Sequence, residues 1–189
     1  MSTFEGAPDL LTLEPLLEAV RVGIEHAGWA LSGLQKTTSH EFEGRWAGES
    51  TRSAYLFFHR EDLPDSVSVE AFLDETSRGL RANLSLVLDG PKLGRLGPAK
   101  EVLRRVRAAA RETLPDPGRS PVSVKLTMPG RVEEPADADT QIRVKMIIPG
   151  VAVESGATAV SALASNAVAA FEGLLECPEV AELLPPVVD

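Results

Sequence analysis

The chain has 189 residues, 43% hydrophobic and 25% charged, with a formal net charge of -9. That balance argues against a general nucleic-acid binder, which needs clustered Lys and Arg against phosphate, and against docking on an anionic membrane. The single Cys177 excludes an intramolecular disulfide and any multi-cysteine metal site.

A chain of this size is expected to form one domain, 1–189, and to bury roughly 70% of the surface its unfolded form exposes. Loose tails are expected at 1–11 and 185–189, and a mobile acidic hairpin loop at 131–140. The first residues carry neither a basic region nor an apolar run, and no apolar stretch approaches the roughly 20 residues of a membrane span. The expectation is therefore a cytoplasmic protein without a membrane partner.

Thr12 is placed to cap a helix over 13–27, with Pro15 in its first turn. Leu13, Leu16, Leu17, Val20 and Ile24 form its apolar stripe, and Gly28 ends it. A weakly patterned strand follows over 29–37, then a better alternation over 41–47, with a hairpin connection at 47–50. Residues 53–59 are apolar on both faces: Leu56 and Phe58 on one, Tyr55 and Phe57 on the other. Such a strand is usually central and covered on both sides. The segment 66–78 fits either a strand or a short helix capped by Ser68, and the preferred reading is a hairpin, 66–73 returning as 80–88.

The returning strand alternates strictly, with Leu80, Ala82, Leu84, Leu86 and Leu88 on one side. It stops at Asp89, Gly90 and Pro91, a turn signal. Pro98 then suits the first turn of a helix over 98–113, which must end by Leu114 and Pro115. Lys100, Arg104, Arg107 and Arg111 share one face of it. Strands are expected from Val122 to Met128 and from Ile142 to Ile148, and a last long helix over 157–175. The resulting fold class is α+β: an antiparallel sheet of about five to seven strands with three main helices, in the order α-β(4–5)-α-β-β-α.

Few residues suggest chemistry. The loop from Gly90 to Gly97 joins a strand to a helix and invites comparison with phosphate loops. Lys92, Gly94, Arg95, Gly97 and Lys100 are its candidate anion-binding residues. Gly90, Gly94 and Gly97 fit neither the dinucleotide nor the Walker A spacing, so a plain turn is the competing reading. His26, His40 and His59 stand far apart and show no metal-ligand spacing. His59, beside Arg60, Glu61 and Asp62, has no legible orienting partner for acid–base work. Glu133, Glu134, Asp137 and Asp139 lack the calcium-loop pattern. Cys177 reads as a small hydrophobe. No catalytic residue, metal or cofactor is assigned.

The basic helix face could meet an acidic partner or the chain's own acidic segments, such as Glu133 and Glu134 or Glu172 and Glu176. Leu56, Phe58, Arg104, Arg107 and Arg111 are the candidate partner surface, on the supposition that the three helices do not cover both faces of the sheet.

The order of elements resembles the type III secretion chaperone-like fold, which includes a putative bacterial sensory transduction regulator family. That resemblance covers most of the chain and rests on element order. It implies an acidic, often dimeric, non-enzymatic protein that binds another polypeptide. The expected function is a cytosolic protein-interaction or chaperone-like module whose partner is a protein or a second copy. The alternative is an enzyme or small-ligand binder that uses the glycine loop.

Overall fold

A computed structural model describes residues 12–39, 51–76, 78–93, 99–115, 122–127 and 139–185. The chain runs α1 (Leu13–His26), β1 (Ala30–Ser39), β2 (Thr51–His59), β3 (Val67–Thr76), β4 (Gly79–Asp89) and a single 3-10 turn at Gly90–Lys92. It continues with α2 (Ala99–Thr113), β5 (Val122–Thr127), β6 (Asp139–Ile148), α3 (Gly150–Glu154), α4 (Ala157–Glu176) and α5 (Pro178–Ala181). The six strands form one antiparallel sheet in the order β1-β2-β3-β4-β6-β5. The α+β class and the order of elements are those expected.

The ambiguous segment is a strand. β3 alternates Val67, Val69, Ala71 and Leu73 into the core, with Ser68, Glu70, Phe72 and Asp74 on the other side. It pairs with β4 along its whole length and closes with Thr76 opposite Gly79, which has φ +113°. No helix can satisfy a period of two, so tertiary pairing agrees with the local pattern.

α1 spans the expected residues, but its cap differs in detail. Thr12 sits at the N-cap without a side-chain hydrogen bond, and its carbonyl accepts from Leu16 N–H at 3.1 Å. β6 begins at Asp139, earlier than the expected Ile142, because Asp139, Thr140 and Gln141 pair with Thr127, Leu126 and Lys125 of β5, and Thr140 is buried close to Gly90. The expected strand at 41–47, the tail 1–11, residues 131–138 and residues 186–189 lie outside the described residues.

The helices decide the shape. α1 packs on α4 and against β1, β2 and β3; α4 packs on β4 and β6; α2 packs on β5, α4 and α5. Their apolar stripes and one face of the sheet form a single core, including Leu16, Ile24, Leu56, Phe58, Leu73, Leu84, Val106, Val144, Phe171 and Leu174. Each such large side chain contributes about 1.5–3 kcal/mol by leaving water. β2 therefore does not lie between two covered faces. Leu56 and Phe58 point under the helices at 0% exposure, so they are core residues and not a partner surface.

Candidate interaction surface

The opposite face of the sheet has no described element over it. Strand register fixes what it displays, because directly paired residues in an antiparallel sheet point the same way. One row across it is Gln35, Tyr55, Phe72, Asn83 and Ile147. Four strand spacings make that row about 19 Å long. The next row is Gly33, Phe57, Glu70, Ser85 and Lys145. Tyr55 and Phe72 form a tilted aromatic pair, centroids 4.8 Å apart and planes at 42°. Tyr55 is 38% exposed and Ile147 58% exposed, while Phe57 and Phe72 are half-buried. Water thus reaches a patch of two large aromatics on β2 and one on β3, with Ile147 two strands away.

Beside the patch the face turns polar. Glu70 of β3 and Arg143 of β6 join in an ion pair over β4, and Arg143 also bonds Gln141 at 3.1 Å. This bridge crosses above Ser85 and Val87, which accounts for Val87 being only 3% exposed on a face without helices. Ser53 Oγ donates to Asp74 Oδ1 at 3.0 Å. Glu70, Arg143 and Asp74 are thus bonded within the face, while the aromatic pair and Phe57 have no described element over them.

The helix side holds its own polar ties. Trp29, buried, donates its indole N–H to Glu172 Oε1 at 2.9 Å. Arg60 bonds the same carboxylate and holds Asp62 at 2.6 Å. The guanidinium of Arg60 keeps the Asp62 carboxyl below its usual range. So the charged run after His59 is a latch between β2 and α4, and the exposed His59 takes no part in it.

The basic face of α2 is partly neutralised. Arg104 pairs with Glu101 at 2.6 Å, and Arg105 pairs with Glu182 at 2.5 Å. The internal acid that meets this helix is therefore Glu182; Glu172 is engaged by Arg60. Arg107 and Arg111 are exposed, on the helix side of the molecule. The structure does not join these arginines to Leu56 and Phe58 in one surface, since those two lie under the helices.

The glycine loop is described only at its start. Lys92 lies 3.6 Å from Asp89, and Gly90 is buried with Thr140 so close that a Cβ there would stand 2.6 Å from the Thr140 carbonyl oxygen. The first glycine is thus required by packing. Gly94, Arg95, Gly97 and the side chain of Lys100 lie outside the described residues.

Among the described residues, no group of three or more His, Cys, Asp or Glu converges as a metal site. Cys177 is half-buried, its Sγ 3.4 Å from the Gly173 carbonyl oxygen. Burial, and then Glu179, Glu112 and Glu176, push its thiol pKa up, which suppresses the nucleophilic thiolate. A surface groove of about 650 Å³ runs between α1 and α4. Apart from Glu18 and His26, its walls are small or apolar side chains such as Ala19, Val22, Thr158 and Ala162. α4 is long and apolar enough to cross a membrane by composition, and its buried stripe of Val160, Ala164, Val168 and Phe171 lies in the core.

Compared with protein-family models, curated proteins and solved structures, the chain matches none.

Sequence reasoning missed Tyr55, Phe57, Phe72 and Ile147 as a surface. A signal existed: Phe72 stands alone in the otherwise polar row Ser68, Glu70, Asp74, and Tyr55 alternates with the core residues Ala54 and Leu56. The sequence did not say which face of β2 the helices would take.

Proposed function

We propose that the chain is a protein-interaction module without catalytic activity, chaperone-like in arrangement and working in the cytoplasm, that receives another polypeptide on the open face of its sheet. The observation that supports this is the uncovered aromatic patch of Tyr55, Phe57 and Phe72. Exposed aromatics clustered on a rigid sheet offer large contact area at low entropic cost, the makings of an interaction hot spot. Part of the surrounding polar rim is already bonded, through Glu70 with Arg143 and Ser53 with Asp74, so a partner that covers the aromatics leaves those groups paired. The resemblance in element order to the type III secretion chaperone-like fold agrees with this reading. The alternative, a ligand site at the glycine loop, has no comparable support: Lys92 is beside Asp89 and Gly90 is committed to packing.

The test is photo-crosslinking in cells of the source organism. A photoreactive phenylalanine analogue replaces Tyr55 in one variant and Thr158, exposed on α4, in the other. The expected result is discrete polypeptide adducts from position 55 that vanish when Phe72→Lys is added. Adducts of equal strength from both positions, or none from position 55, would overturn the proposal.

A further inference from the structure

Among the described residues, the edge of the sheet at β1 is long and almost unprotected. β1 has ten residues, Ala30–Ser39, and among the described residues it pairs with β2 alone. Its outer row of N–H and C=O groups therefore faces away from the sheet. Proteins usually blunt such an edge with proline, repeated charge, shortness or a cover. β1 has no proline, no acidic residue and one charge, Lys36. One protective device is present, an irregularity between Leu31 and Gly33, but from Gly33 to Ser39 the register with β2 is unbroken.

Leu34 is the second observation. It pairs with Leu56 and so lies on the helix side of the sheet, yet it is 48% exposed. The apolar layer thus continues past the shelter of α1 to the edge and stops at a leucine in water. An edge with free backbone groups and an apolar border calls for another strand that carries its own apolar side chain.

We propose that β1 pairs with β1 of a second copy, antiparallel about a two-fold axis normal to the sheet, which joins two six-stranded sheets into one of twelve strands. This goes beyond the proposed function: the surface is the edge and not the open face, and the partner is the chain itself. Three considerations select a second copy over a free peptide. β1 is already ordered as a strand, whereas a free peptide would spend about 1–2 kcal/mol per residue on backbone ordering. A chain of net charge -9 repels itself, and β1 is an acid-free segment. Finally, in a two-fold pair opposed residues share a face, so a register centred on Leu34 sets the two Leu34 side chains directly opposite each other along the seam and each Lys36 opposite Ser32. Both helix layers then lie on one side, and the two open faces become continuous.

Sedimentation of the full chain over a wide concentration range tests this. The wild type is expected at dimer mass. Leu34→Lys adds a cation beside Lys36 at an exposed position, and should weaken the dimer by more than about tenfold while the circular dichroism stays native. Amide exchange provides a readout that needs no variant: backbone N–H groups of Leu34, Gln35, Lys36 and Thr37 should exchange more slowly as concentration rises. A wild type that stays monomeric, or a dimer whose β1 amides do not respond to concentration, overturns the proposal. A dimer broken by Tyr55→Lys but not by Leu34→Lys also overturns it and moves the contact to the open face. Loss of the position-55 adducts alone would count against the proposed function and leave the edge dimer standing.

Discussion

Cys177 shows how environment decides whether a residue has chemistry. The thiol sits at the end of α4 against the Gly173 carbonyl, with Glu176 and Glu179 nearby on either side in sequence. Burial and these carboxylates both favour the neutral form, so its pKa lies above the ordinary thiol value. The sign follows: the unfolded chain loses its proton first, so the stability linked to this group falls as pH rises through about 8.5, the unperturbed value. Alkylation by iodoacetamide at pH near 8 is expected to be slower in the native protein than in the urea-unfolded chain. Equal rates would show a thiol that behaves as if in water.

At the scale of elements, α1 and α4 meet in close contact at Gly23. Gly23 has no room for a side chain: a Cβ would fall inside contact distance of the Ser161 carbonyl oxygen and 2.9 Å from Ala164 Cβ. Two effects oppose each other in Gly23→Ala. Helix propensity favours alanine by about 1 kcal/mol. Forcing an atom against another helix's backbone costs about 1–3 kcal/mol, because a carbonyl cannot swing aside as a flexible side chain does. The clash is expected to win, because the obstructing atom is backbone, with a net loss of up to about 2 kcal/mol in urea unfolding. A variant as stable as wild type would mean that the helices separate freely.

For the whole molecule, the one-sided placement of the helices makes β2 a strand with two unequal faces. Phe58 and Tyr55 are both aromatic, three residues apart, and pointed to opposite sides. Phe58→Ala should cost about 3–5 kcal/mol, since it leaves a cavity in the shared core. Tyr55→Lys should change stability by about 1 kcal/mol or less, because the patch already meets water. Thermal melts of the two variants would separate these outcomes. Equal losses would show that something covers the open face as fully as the helices cover the other.

The strands and the helix stripes were legible in the chain because their periods differ: Ala82, Leu84, Leu86 and Leu88 repeat every second residue, and Leu13, Leu16, Leu17, Val20 and Ile24 follow a helical turn. Local pattern also placed the α1 ending before Gly28 and made the hairpin of β3 and β4 the preferred reading, because turn chemistry and alternation act over a few residues. The site was not legible in that way. Alternation says that Leu56 and Phe58 oppose Tyr55 and Phe57, but a strand apolar on both faces carries no mark of which face receives helices. Tertiary packing settled that: α1 joined α4 through Gly23 on the side of Leu56 and left Tyr55, Phe57 and Phe72 outside. The same packing left Leu34 at an open edge, since a helix laid over the sheet's interior does not reach its border. Sequence period sets which residues share a face; only the assembled layers determine which face is inside.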